Sequence, residues 1–517
     1  MCGITFYVGK TPCPNALERL ETLKNRGPDT SSLTFVKNYT FGQTRLCVTG
    51  VLTQDQPIRH ENYLLIFNGE IYDATEDGMK IIEVVKEHGM TAKALQALNG
   101  IFAFVLVDVE NEKILVARDR CGVIPLYYVE TDDYLFVASE MKACYDLGEV
   151  HVFPPGCYVD ETGLQKYHTW SSKVPEVTMK PAKKFVYDLL YEAVTSQMQN
   201  VEVPHGILLS GGLDSAIIAS LASEVFTNMY FPSLHTFSIG LKGSEDLKHA
   251  RLVAANIGAT HHEVIFTVEE AISCLPDVIE AIETYDVTTV RASVPMYLLG
   301  RAIKRFGIKV VYSGEGSDEL FGGYLYNWYC SNGEDMQKEC ALKMSRLHYH
   351  DCARANKSMA VHGIETRVPF LDNHVTDWAM NILDPNEKLS KLHANGPKAE
   401  KWLLRDAFED EFNDAVRLRE KVQFSDGVGS AWIDGIKEYA EKTVQHIPEY
   451  TFQPPHSKEA ALYRQIFTQE FPETRFPGAE KTVLYTPNSA ACSSEQAFQW
   501  HNFKEDPSGN QLSTGIK

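Results

Sequence analysis

The sequence predicts a two-domain protein, a β-rich layered domain followed by an α/β domain built on a doubly wound parallel sheet. Three observations predict this. The chain has 517 residues, more than one hydrophobic core organises. Short apolar runs broken by Gly, Asn or Asp fill its first third, the mark of strands joined by turns. From Gly206 onward, apolar runs alternate with segments of helical spacing, which implies strands laid parallel with helices between them.

In the first domain, strands are predicted at Phe41–Val48, Tyr63–Phe67, Phe102–Asp108, Lys113–Arg118, Leu126–Val129 and Tyr134–Ala138, with one helical pattern over Gly78–His88. A polar stretch with Pro175 and Pro181 then reads as a boundary, so the domains are placed at residues 2–165 and 185–475, with 166–184 as linker and 476–517 as a polar tail. In the second domain the spacing predicts a helix over Phe185–Gln197, apolar strand runs at Leu234–Leu241, His261–Phe266 and Lys309–Tyr312, and a helix over Asp246–Ile257.

Composition narrows the function classes. Lys and Arg number 49 against 69 Asp and Glu, a net charge of −20, which disfavours nucleic acid and anionic membranes as partners. No run of about eighteen apolar residues occurs and the start, Met1-Cys2-Gly3-Ile4, has no basic leader, so a cytoplasmic location is expected. The eleven cysteines lack Cys-x-x-Cys spacing, which suggests reduced thiols and no zinc site.

The second domain is organised around Leu208-Leu209-Ser210-Gly211-Gly212-Leu213-Asp214-Ser215, which reads as strand, tight turn and helix. Two glycines let the backbone approach a ligand, and free N–H groups at a helix start favour an anion such as phosphate. Asp214 suits such a site only if a cation such as Mg²⁺ stands between it and the phosphates. A second strand leads into Ser313-Gly314-Glu315-Gly316-Ser317-Asp318-Glu319, whose Asp318 pairs sensibly with Asp214 as the other metal ligand. By itself, each segment also reads as an ordinary turn or surface loop.

Ser-Gly-Gly-Leu-Asp-Ser resembles the PP-loop of ATP pyrophosphatases, which split ATP to AMP and pyrophosphate while adenylating a substrate. In the first domain, Cys2-Gly3-Ile4, Arg26-Gly27-Pro28-Asp29, Arg45-Leu46, Asn68-Gly69-Glu70 and Arg118-Asp119 resemble, in order, the glutamine amidotransferase domain of N-terminal-nucleophile hydrolases. That resemblance implies an αββα sandwich. Removal of Met1 exposes Cys2, whose own α-amino group, with a pKa of about 8, serves as base. With Arg367-Val368-Pro369-Phe370-Leu371-Asp372 and Arg419-Glu420-Lys421-Val422-Gln423-Phe424-Ser425-Asp426-Gly427 added, nearly the whole chain is similar to glutamine-hydrolysing asparagine synthetases.

The resemblance implies roles residue by residue. Cys2 attacks the glutamine amide, and Asn68 and Gly69 donate to the oxyanion. Arg45 pairs with the glutamine α-carboxylate, Leu46, Cys47, Val48 and Thr49 line its pocket, and Glu70 and Asp77 hold its α-ammonium. Asp77 also has a plain helix-capping explanation. Leu208, Ile239, Ser313 and Gly314 contact the adenylate, Ser210 to Ser215 hold pyrophosphate, Glu315 takes a proton from ammonia, and Lys421 neutralises the phosphates. The implied substrates are aspartate, glutamine and ATP with Mg²⁺, and a homodimer is expected. Most relatives carry Glu where this chain has Thr44, and the segment from Glu70 to Asp77 is shorter than usual. Two other readings share this architecture: an adenylating cyclase of the β-lactam synthetase kind and a nucleotide-binding scaffold.

Overall fold

The computed structural model describes residues 1–49, 56–229, 233–392, 398–448, 450 and 454–472. The tail from 476 therefore lies outside the described residues.

Twelve strands occupy the first part of the chain: β1 (Gly3–Gly9), β2 (Thr30–Val36), β3 (Tyr39–Arg45), β4 (Ile58–His60), β5 (Tyr63–Ile71), β6 (Gly100–Asp108), β7 (Lys113–Arg118), β8 (Tyr127–Glu130), β9 (Tyr134–Ala138), β10 (Val150–Val152), β11 (Cys157–Asp160) and β12 (Gly163–Lys166). They form two antiparallel sheets of order β10-β8-β9-β1-β3-β2 and β12-β11-β7-β6-β5-β4. Period-two patterning explains the layering. In the second sheet Ile66, Ala103, Val105 and Val116 join Ile4, Phe6 and Phe41 of the first sheet in one core. The alternate residues Leu65, Phe67, Phe104 and Leu106 pack with Ile81, Ile82 and Val85 of the helix Asp77–His88. Both faces of β6 are thus apolar, which is why its run reads as continuous.

Two local readings change in the fold. The strand predicted to Val48 ends at Arg45, because Asp29 takes the Cys47 N–H on its carboxylate at 2.7 Å and gives its own N–H to the Arg45 carbonyl at 3.0 Å. Asn68-Gly69, a pair that locally favours a hairpin turn, lies inside β5, opposite Ala103 and Phe102 of β6.

Residues 167–182 carry no helix or strand beyond a single bridge from Met179 to Leu383. Past the helix Lys183–Met198 come β13 (His205–Leu208), β14 (His235–Gly240), β15 (Thr260–Ile265), β16 (Val310–Tyr312) and β17 (Glu365–Arg367). All four pairings are parallel, in the order β15-β14-β13-β16-β17. The chain reverses its winding between β13 and β16, so their carboxyl ends open a crevice at the switch point.

The two parts meet over a charged seam. Arg120 pairs with Asp377 at 2.7 Å, Lys309 with Asp29 at 2.8 Å, and Arg26 donates to Asn356 at 3.0 Å.

Candidate active sites

The crevice at the switch point is a pocket that collects most of the residues singled out in the second domain. Leu208, Ser210, Gly212, Asp214, Ser215, Ile239, Ser313, Gly314, Glu315, Asp318 and Lys421 all line it. The turn after β13 is fixed by its glycine: Gly211 has φ +75°, and a Cβ there would stand 2.4 Å from the Ala250 nitrogen. Ser215 Oγ donates to the Gly212 carbonyl at 3.0 Å and lies 3.1 Å from Ser210 Oγ, so both hydroxyls face the start of the helix Leu213–Asn228. This is an anion cradle at a helix N-terminus. Arg419 supports the turn by donating to the Ser210 carbonyl at 3.3 Å while pairing with Asp246 at 2.5 Å.

Two acids from two strand ends converge above the cradle. The Lys401 ammonium lies 2.7 Å from both oxygens of Asp214 and 2.6 Å from Asp318, and Lys421 takes the second Asp318 oxygen. Ser317 Oγ adds a donor to Asp214 at 2.8 Å. Gly314 permits the approach, since a Cβ there would stand 2.8 Å from Asp214 Cβ. Burial pushes the Asp318 carboxyl up, but Lys401 and Lys421 outweigh it and hold the group well below the usual range. Lys421 gains in return: Asp318 and Asp214 raise its pKa despite burial. Farther along, Arg354 pairs with Glu315 at 2.6 Å and Asp351 at 3.0 Å. Burial still leaves Glu315 raised, and it pushes Glu319, which accepts from the Tyr324 hydroxyl, up to about 8.

In the first domain Cys2 sits at the start of β1 with its N–H on Asn68 Oδ1 at 2.7 Å. Burial raises the Cys2 thiol, while the Met1 ammonium, the Leu46 backbone and the Gln43 side chain work against it. Asn68 Nδ2 is buried without a hydrogen-bond partner, a donor left open on the residue that holds the Cys2 N–H. Arg45 donates to the Thr49 carbonyl at 3.3 Å. Gly69, with φ +132°, follows on β5. Asp77 accepts the Ile71 N–H at 2.9 Å as the first residue of its helix, and burial pushes its carboxyl up to about 6.

Glu70 turns to the seam, where its carboxylate lies 3.0 Å from Arg367. Arg367 also pairs with Glu365 at 2.7 Å and donates to the Gln197 carbonyl, so it belongs to the contact between domains. Glu365 in turn takes the buried Met1 ammonium at 2.9 Å. Sequence reasoning missed Lys401, Arg354 and Glu365. The only hint of Lys401 was a Lys and an Arg four apart, Lys401 and Arg405, flanking the apolar Leu403-Leu404.

The family model "Asparagine synthase" matches residues 186–332 and 329–483, and the "Glutamine amidotransferase domain" model matches residues 1–199. Asparagine synthetase B [glutamine-hydrolyzing] of Escherichia coli (strain K12) is 41% identical to this chain, covering 96% of it and 95% of the relative. Asparagine synthetase [glutamine-hydrolyzing] 3 of Arabidopsis thaliana is 39% identical, covering 98% and 94%. Among solved structures, a glutamine phosphoribosylpyrophosphate amidotransferase from B. subtilis aligns at 15% identity over 51% of this chain and 81% of its own, with a TM-score of 0.29, too slight a likeness to carry weight. On its two matched models and its near full-length relatives, the chain belongs to the family of glutamine-hydrolysing asparagine synthetases.

Proposed function

We propose that the chain converts aspartate, glutamine, ATP and water to asparagine, glutamate, AMP and pyrophosphate through a β-aspartyl-AMP intermediate. The observation that carries the reading is the convergence of Asp214, Asp318, Lys401 and Lys421 on one point above the Ser210–Ser215 cradle. In the first half-reaction the aspartate β-carboxylate attacks the α-phosphorus of ATP, and the bond to the β-phosphate oxygen breaks. The cradle takes the pyrophosphate, with Lys421 balancing its charge, while Leu208, Ile239, Ser313 and Gly314 hold the adenylate. Ammonia then attacks the β-carbonyl carbon, AMP leaves, and Glu315 accepts the proton shed by nitrogen.

The residues fit a magnesium ion. Asp214 and Asp318 bring carboxylate oxygens within 2.7 Å of one nitrogen, and two such hard oxygen donors suit a cation completed by phosphate and water. Bound there, it would neutralise charge on the departing pyrophosphate.

Ammonia comes from the first domain. Once Met1 is removed, the Cys2 α-amine takes the thiol proton and sulfur attacks the glutamine δ-carbon. Asn68 Nδ2 and the Gly69 N–H stabilise the oxyanion, ammonia leaves, and water releases glutamate from the thioester. Arg45 and the run Leu46, Cys47, Val48 and Thr49 hold the substrate with Glu70 and Asp77. Net charge −20 supports small-molecule substrates over nucleic acid or anionic membranes, and no described helix is long and apolar enough to cross a membrane. The reading extends to a cytoplasmic homodimer.

Product analysis with aspartate, ATP and either glutamine or ammonium tests it. Asparagine and AMP are expected in equal amounts from both nitrogen sources. Cys2→Ala should lose glutamine-supported synthesis and retain ammonium-supported synthesis; loss of both together, or ADP as the nucleotide product, refutes the assignment.

A further inference from the structure

Two buried side-chain atoms on residues that reach Cys2 have no hydrogen-bond partner, Gln43 Oε1 and Asn68 Nδ2. Each belongs to an amide whose other end is already committed. Gln43 Nε2 donates to the Phe67 carbonyl at 3.3 Å, and Asn68 Oδ1 accepts the Cys2 N–H at 2.7 Å. Those bonds set both orientations: the Phe67 carbonyl can only accept, and the Cys2 nitrogen gives its N–H to Asn68 Oδ1. What remains is one acceptor and one donor on two side chains that both reach Cys2, Asn68 through the Cys2 N–H and Gln43 through a hydrogen bond that lowers the thiol.

A primary carboxamide is the complement of that pair. Its oxygen accepts and its nitrogen donates, whereas a carboxylate offers only acceptors and an ester lacks the donor. Gln43 is held for such a role: it sits mid-strand on β3, paired with Ile4 of β1 on one side and Ser32 of β2 on the other, and is 2% exposed. Arg45, two residues on, lies on the same face of the strand, roughly 7 Å away, a spacing that suits the length of glutamine. Both also line a cavity of about 370 Å³ between the sheets.

We propose that Gln43 is a specificity residue of the amidotransferase site: its Oε1 accepts a hydrogen bond from the substrate carboxamide nitrogen while Asn68 Nδ2 donates to the carboxamide oxygen. Arg45 and Gln43 thus read the two ends of glutamine from one strand. The pair also favours substrate over product, since glutamate would set a carboxylate oxygen against Gln43 Oε1. The inference rests on the glutaminase reading above and deepens it.

The test compares L-glutamine with L-glutamate γ-methyl ester, which is one methyl group longer and has no side-chain N–H, as substrates of the full chain. Gln43→Met preserves length and removes the acceptor. Its kcat/KM for glutamine should fall roughly ten- to hundredfold, the effect of unpairing one buried polar group, while the ester loses far less. The preference for glutamine over ester should therefore shrink at least about tenfold relative to the parent chain. Gln43→Glu, whose buried carboxyl would protonate to donate to the Phe67 carbonyl, retains an acceptor and should retain the preference. Ammonium-supported synthesis, carried out in the other domain, reports that each variant is folded. Equal losses on both substrates, or no loss on either, overturn the inference. A parent chain that releases no ammonia from glutamine overturns the glutaminase reading instead.

Discussion

Arg367 offers the sharpest test of the contact between the domains. Its side chain is fully buried, with Glu70 from the first domain at 3.0 Å and Glu365 from its own strand at 2.7 Å. Arg367→Met keeps the aliphatic stem and removes the charge, leaving two carboxylates in the seam. Breaking a buried pair from one side costs about 3–5 kcal/mol, chiefly as uncompensated charge. For unfolding units of this size the thermal midpoint should fall on the order of 10 °C at pH 8. The pH dependence separates this cause from mere loss of packing. In the chain that retains Met1, burial works against Glu365, yet the Met1 ammonium and Arg367 keep its carboxyl below the usual value, while burial leaves Glu70 well above it. Without Arg367 both rise, so the folded variant binds more protons than the unfolded chain above about pH 4.3. Its stability therefore falls as pH rises, and the gap from the parent should be largest at pH 8 and narrow toward pH 5. Calorimetry at the two pH values measures it, and adding Glu70→Gln should recover part of the loss at pH 8. An equal drop at both, or a drop of less than about 1 kcal/mol at pH 8, would refute the reasoning.

Two further outcomes follow from the second domain. Gly211→Ala places a Cβ 2.4 Å from the Ala250 nitrogen at φ +75°, so exchange of labelled pyrophosphate into ATP in the presence of aspartate should drop at least about a hundredfold, with ammonia release from glutamine retained. Glu319, pushed up to about 8 chiefly by burial, binds a proton in the folded chain that the unfolded chain has lost above about pH 4.3. It therefore costs stability progressively as pH rises from there toward 8, and Glu319→Gln should flatten that part of the stability profile in denaturant titrations; an unchanged slope would show that the group is ionised throughout.

Much of the fold was legible because long elements announce themselves. The apolar run of β6, the helix Asp77–His88 and the alternation around β13 to β16 all follow from periodicity, and the observed bounds differ by a residue or two. Several strands escaped, β1, β2, β4, β10, β11 and β12 among them, and β17 shows one reason, side chains that answer to distant partners. β17 is Glu365-Thr366-Arg367, polar throughout, and is paired with β16 because its two charges are met across the seam by Met1 and Glu70. Asn68-Gly69 went the other way: the dipeptide suits a turn, but pairing with β6 along nine residues outweighs that preference.

The same division governs the sites. Motifs that must build a local shape, such as the glycine turn or the Ser-Gly-Glu-Gly-Ser-Asp-Glu loop, could be read from residue order alone, and Asp214 could be matched with Asp318 because both follow neighbouring strands. Charges that act at a distance could not. Arg367 lies in a motif that marks the family, yet nothing local discloses its partners, Glu70 and Glu365, which are set by how two domains dock. Lys401 is the converse: it stands 187 residues from Asp214 in sequence, carries φ +51° without a glycine to signal it, and still reaches both acids of the crevice. A lone lysine before an apolar stretch has no periodicity to betray its target, so only the folded chain discloses which cation balances the pair.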